Sequence, residues 1–328
     1  MLTTQLNFAL VSAAQADPIA VITSEESSLK EKGDACRELA PIGAKEAVAP
    51  LAALLGDERY AHMARYGLEP NPDPSVGEAL HEALGKLKGL PLVGVIGSVG
   101  VRRDEKAVEA LAGLLKDGDG QVVQAAARAL GKIGNTEAAK ALQGALDEVR
   151  AANELAVCEG LFRCAEALEK AGKTEEAQGL YDRLCEAGGA HQVCTGALRG
   201  AVLVRKEEGL PLLLEALRDE DYLMAEAAAR TAQEMEGAAA TKALVDELAK
   251  LSADRQILVI QTLGDRGDAA AVPELSAAAK NGEKPVRLAA IRSLTMIGDA
   301  KAKPVLEGLA GDSDGDIQQA AKQGLSAL

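Results

Sequence analysis

Apolar residues recur along this chain at intervals of three and four, interrupted roughly every thirty residues by short runs of Asp, Gly, Asn and Pro. The clearest stretch runs from Asp119 to Leu146, DGQVVQAAARALGKIGNTEAAKALQGAL. Val122, Val123, Ala126, Ala127, Leu130 and Ile133 share one helical face, Gly134 stops the helix, and Asn135-Thr136 opens the next. Ala138, Ala139, Leu142 and Leu146 then form a second apolar stripe. Two helices of this size cannot bury their apolar faces alone, so the unit must stack on copies of itself. Those copies are found by aligning the inter-helix turns, which end at Gly43, Gly100, Gly134, Gly172, Gly237, Gly267 and Gly298. The short intervals between them run from 30 to 38 residues. The interval from Gly172 to Gly237 reads as two periods around a degenerate unit, Ala201 to Leu217, and that from Gly43 to Gly100 as one period plus an insertion. A period of this length, each copy helix–turn–helix, predicts an all-α solenoid of roughly eight or nine helical hairpins.

The repeated strings resemble HEAT repeats. AVAPLAALL (47–55), AVEALAGLL (107–115) and AVPELSAAA (271–279) each follow a glycine turn, and QVVQAAARALGKIG (121–134) and PVRLAAIRSLTMIG (285–298) fit the partner helix. The resemblance covers residues 29–328 and implies an α-α superhelix of the HEAT/armadillo type. ALEKAGKTEEAQGLYDRL (167–184) is closer to a tetratricopeptide repeat, with Gly172, Ala177 and Tyr181 in that spacing. Residues 57–89 are expected to be an irregular insertion. There Asn71-Pro72-Asp73-Pro74 cannot be helical, which leaves a short helix ending near Leu68 and another from about Ser75 to Leu87.

Residues 1–28 are expected to be a capping segment or the remnant of a signal peptide. Leu6 to Val11 form a short apolar run and Ala14-Gln15-Ala16 fits small-residue cleavage, but no charged leader precedes them. ARYGLEPNPDPSV and LVGVIGSVGVRRD resemble a block in exported HEAT-repeat proteins of environmental bacteria, which implies export and a mature start at DPIAVI (17–22). From the residues themselves, export and a cytoplasmic location both stay open.

Composition narrows the function. Aromatic residues are 2% and tryptophan is absent, so the core must be built from Ala, Leu, Val and Ile. The net charge of −14 argues against nucleic acid, whose phosphates need a basic face, and no apolar run is long enough for membrane insertion. The acidity is concentrated: residues 134–250 carry 22 acidic against 13 basic side chains, and residues 251–328 carry 10 against 9.

Catalytic and metal readings are weak. The five cysteines, Cys36, Cys158, Cys164, Cys185 and Cys194, match no zinc spacing and read as structural thiols, with a disulfide between neighbouring helices as the alternative. Gly94, Gly97 and Gly100 lack the strand and spacing of a nucleotide loop and read as close helix packing. His81-Glu82 invites comparison with deoxyhypusine hydroxylase, a HEAT-like di-iron enzyme, but one such pair cannot hold two irons. No catalytic residue, metal site or cofactor is assigned. Arg37, Arg128, Arg163, Arg230 and Arg292 fall at similar places in their first helices and read as a structural ladder to acids of the neighbouring turn.

The sharper candidate lies on the second helices, which line the concave face in HEAT proteins. Registering on Leu180, Leu213 and Leu244 places Asp182, Glu215 and Asp246 at one position in three units, with Glu247, Asp147 and Glu186 able to extend the row. Solvated helix faces of an acidic protein are the plainer explanation. As a site, the row suits a protein or peptide with a basic surface. The expected function is a non-catalytic scaffold. The alternatives are an enzyme or enzyme accessory of the HEAT-like bilin lyase type, or a regulatory module of an exported sugar-active or redox system.

Overall fold

The computed structural model describes residues 17–149 and 151–328, and every regular element among them is helical. The candidate leader residues 1–16 lie outside the described residues. The chain divides into two compact units, one up to Ala167 and one from Leu168 onward.

In the first unit a short helix α1 (Pro18–Thr23) precedes α2 (Leu29–Ile42), α3 (Val48–Ala53), α4 (Ala61–Leu68), α5 (Ser75–Lys86), α6 (Gly89–Arg102), α7 (Val108–Leu114), α8 (Gly120–Ile133), α9 (Thr136–Leu146) and α10 (Ala151–Lys170), whose last residues open the second unit. The even-numbered helices α2, α4, α6 and α8 pack in sequence on one another, and α3, α5, α7 and α9 do the same. Each helix therefore finds its partners one repeat away, which is the nearest-neighbour packing of a solenoid. All ten apolar positions read from the sequence of α8 and α9 are buried.

Residues 57–89 correct one expectation. They hold a complete hairpin, α4 and α5, packed between its neighbours on both sides, where the sequence suggested an insertion. The disguise comes from the turn, which has no left-handed glycine. In its place Asn71, fully buried, donates from Nδ2 to the Ala44 carbonyl at 3.0 Å and accepts from the Asp73 amide at 2.9 Å.

The second unit continues with α11 (Thr174–Ala187), α12 (His191–Arg205), α13 (Leu210–Leu217), α14 (Tyr222–Glu234), α15 (Ala238–Leu248), α16 (Ala253–Arg266), α17 (Val272–Asn281), α18 (Lys284–Ile297), α19 (Lys303–Leu309) and α20 (Gly315–Ala327). The degenerate stretch expected at 201–217 is the hairpin of α12 and α13. One continuous apolar core runs from Leu198 to Ala321.

The corners explain the period. Gly43, Gly134, Gly267 and Gly298 follow their helices with φ between 63° and 68°, a left-handed conformation that glycine adopts without strain. Entry to α8, α14 and α20 is built by pairs of aspartates. Asp117, Asp219 and Asp312 each accept from the amide two residues on at 2.8 Å, and those residues, Asp119, Asp221 and Asp314, cap the helix that follows.

Arginines tie successive repeats, though mostly not the ones the sequence singled out. Arg128 of α8 does reach Glu159 of α10 at 3.1 Å, and Arg163 meets the same carboxylate at 2.8 Å. Arg37 and Arg230 pair within their own helices, with Asp34 and Glu226. The stronger ties are Arg102 and Arg266, each the last residue of a first helix. Arg102 donates to the carbonyls of Leu68, Glu69 and Asn71, at 3.3, 2.8 and 2.6 Å. Arg266 donates to those of Ala232, Met235 and Gly237, the last two at 2.8 Å. Both cap the carbonyl end of the preceding repeat's first helix, where intrahelical partners run out.

Candidate functional site

The six acidic residues read from the sequence fall into distinct environments. Leu180, Leu213 and Leu244, the register marks, are all buried, so the position two residues on points away from the core in α11, α13 and α15. Glu215 and Asp246 are exposed there, on second helices that pack directly against each other, and neither has an ion pair among the described residues. Glu186 is likewise exposed near the end of α11. Asp147 is exposed at the C-cap of α9, in the first unit.

Asp182 is partly shielded, and its Oδ2 accepts from Arg205 Nη2 of α12 at 2.5 Å. Glu247 differs more. It is 1% exposed, its Oε1 accepts from Arg218 Nε at 2.6 Å, and Lys250 Nζ stands 3.2 Å from Oε2. The Arg218 hydrogen bond holds its carboxyl below the ordinary range in spite of burial. Glu247 is thus a tie between α13 and α15, and offers no carboxylate to a partner. One residue along a helix turns the side chain by about 100°, enough to take position 247 inward while 246 faces water.

A second acidic surface was not anticipated. An open groove of about 960 Å³ lies at the carboxyl ends of α12 and α14, walled by Glu169, Glu207, Glu208, Glu234 and Glu236, with Arg205 and Lys206 at its edge. Glu234 is paired with Arg199. The signal available in the sequence was the pair Glu207-Glu208 in the degenerate repeat, but only the fold brings Glu169 and Glu236 beside it.

The residues weighed for chemistry are dispersed. His81 Nε2 faces Asp104 Oδ2 at 3.1 Å, while Glu82 turns to Lys86. His191 Nδ1 lies 3.4 Å from Asp221, and His62 is exposed on α4. Among the described residues, no group of three or more His, Cys, Asp and Glu side chains is placed to hold a metal ion. Gly94 and Gly100 serve close packing: a side chain at Gly94 would meet the Arg65 guanidinium at 2.6 Å, and one at Gly100 the Ala129 Cα at 2.8 Å. Gly97 faces open space. No helix among the described residues is long and apolar enough to cross a membrane.

A family model for HEAT repeats matches residues 92–158 and 241–326, on either side of the acidic second helices α11 and α13. The chain carries HEAT repeats over these two stretches. The fold of this HEAT-repeat protein is similar to that of much longer chains. A structure describing Kap95p binding to RanGDP aligns over 95% of this chain and 50% of that one, at 11% identity and a TM-score of 0.57. A structure of Kap121p aligns over 94% and 40%, at 12% identity and 0.57. The HEAT-repeat chain therefore spans half or less of these neighbours. A structure of human deoxyhypusine hydroxylase with glycerol covers 88% of this chain and 98% of that one at 21% identity, but its TM-score of 0.33 is too low to bear on chemistry. No curated protein matches the sequence.

Proposed function

We propose that this HEAT-repeat protein is a non-catalytic scaffold that binds a basic protein or peptide along the concave, second-helix face. The observation that carries the reading is the pair Glu215 and Asp246, exposed on packed neighbouring helices and without ion-pair partners among the described residues. Successive helices in such packing lie about 8–10 Å apart, comparable to the reach of a basic side chain along an extended peptide. Like charges held at that spacing on a rigid surface gain from a cationic partner, chiefly as steering and specificity. Glu186 adds to the surface, and Asp182 can exchange Arg205 for a partner's cation. The same fold serves protein binding in Kap95p, which adds support for a protein partner.

The test is titration of a fluorescent oligolysine peptide into the full chain at low ionic strength. Reversing Asp182, Glu215 and Asp246 together to lysine is expected to weaken binding by about tenfold or more. The helical signal should remain unchanged. Equal affinity for both proteins in low salt would remove this assignment.

A further inference from the structure

Three of the five cysteines are sealed in the core: Cys36, Cys158 and Cys164 are at most 1% exposed. The other two flank one hairpin corner. Cys185 is exposed in the last turn of α11, Cys194 is half-buried in the first turn of α12, and Gly188-Gly189-Ala190 joins the helices. α11 and α12 lie closely side by side. The Tyr181 ring occupies the space beside Gly200, where a Cβ would sit 2.2 Å from its Cε1, and Asp182 bonds Arg205. Cys185 is one helical turn from Tyr181 toward the corner, and Cys194 lies between Gly200 and the same corner. Paired helices with axes about 8–10 Å apart and Cα radii of about 2.3 Å leave about 3.4–5.4 Å between facing Cα atoms, a span that overlaps the roughly 4.4–6.8 Å of a disulfide. The two thiols are near enough that the charge of one is felt by the other.

We infer that Cys185 and Cys194 form a redox pair, closing into a disulfide that staples α11 to α12 when the protein meets a small-molecule disulfide such as glutathione disulfide. The Cys185 thiolate attacks one sulfur of glutathione disulfide, giving a mixed disulfide and releasing one glutathione thiolate. The Cys194 thiolate then attacks the Cys185 sulfur and expels the second glutathione. Two protein thiols are oxidised, one glutathione disulfide is reduced to two glutathiones, and the two protein protons pass to the departing thiolates. Although the residue as a whole is exposed, partial shielding of the Cys185 sulfur against α12, then Asp182, then Cys194, push its thiol up to about 11. Thiolate is therefore scarce near neutral pH, and exchange accelerates as pH rises. The inference is independent of the scaffold reading.

The experiment treats the full chain with glutathione disulfide and counts free thiols after denaturation, with the linked peptides mapped by mass spectrometry without reduction. Two of the five thiols are expected to disappear into one intramolecular link joining 185 to 194. The initial rate should rise about tenfold per pH unit between about 7 and 9. Cys194→Ser should stop at a glutathione adduct on Cys185 that dithiothreitol removes. A wild-type protein that keeps all five thiols, that stops at the adduct, or whose link joins two molecules would overturn the inference.

Discussion

Arg266 and Glu247 carry more than their place in the sequence suggests. Arg266 satisfies three carbonyls at the end of α14, which would otherwise meet solvent or nothing, and its Nε donates to Thr241 Oγ1 at 3.1 Å. Hydrogen bonds from a charged donor each contribute about 1.5–3 kcal/mol. They share one side chain here, so Arg266→Ala is expected to lower unfolding free energy by about 2–3 kcal/mol in total. Arg266→Lys should recover less than half, because an ammonium lacks the guanidinium fork. Chemical denaturation of the three proteins decides this, and an alanine variant within 0.5 kcal/mol of wild type, roughly the noise for a surface site, would contradict it. Glu247 supplies a pH signature. Its folded-state pKa is lowered by Arg218, so its contribution is complete above the ordinary glutamate value, about 4.3. That contribution drains away as pH falls through the lower folded value. Wild type should thus lose stability more steeply than Glu247→Gln below about pH 4.3, and parallel acid-denaturation curves would show that the tie is not electrostatic. Neither role was legible in the sequence. The partners of Arg266 are carbonyls, which every residue has, and Asp246 and Glu247 differ only in which way the helix turns them.

Whole helices were easier to read than single contacts, because an apolar stripe repeats several times and a contact occurs once. In α8 and α9 the stripes, the Gly134 stop and the Asn135 cap all stand where the periodicity put them. In α4 and α5 the helix limits near Leu68 and Ser75 were visible, but their membership of the stack was not. A helix of eight residues shows too few turns for a repeat to be recognised, and a proline-rich corner replaces the usual glycine. The three glycines of α6 show how far spacing can be trusted. All three read as packing positions, yet a side chain would collide at Gly100 and find nothing at Gly97. Gly100→Ala is expected to destabilise by about 1–3 kcal/mol through overpacking against the α8 backbone. Gly97→Ala should be neutral or stabilise by up to about 1 kcal/mol, since alanine is the better helix former. Thermal melts of the pair provide the comparison, and an equal loss in both would show that the register of α6 against α8 is wrong.

At the scale of the molecule, charge is the dominant global property. A net charge of −14 on an alanine- and leucine-lined stack sets like charges against one another across the surface. Raising sodium chloride from about 10 to 150 mM shortens the Debye length from about 30 to 8 Å. The melting temperature should then rise by a few degrees; a fall would mean that the surface ion pairs, and not the net repulsion, govern the response. The acidic excess itself was plain in the sequence, but its distribution needed the structure. Some of it is spent on ties such as Glu159 and Glu247, some gathers at the α12–α14 groove, and Glu215 and Asp246 lie exposed on neighbouring second helices.

The paired aspartates at the entries to α8, α14 and α20 make each of these corners out of atoms no more than three residues apart. The capping itself is local, while Arg255 and Arg287 add ties from distant sequence to Asp219 and Asp312 at the second and third of these corners. A hairpin copied together with Asp117–Asp119 or Asp219–Asp221 would therefore carry its own helix cap with it. A gene built this way can lengthen its product by copying, one paragraph at a time.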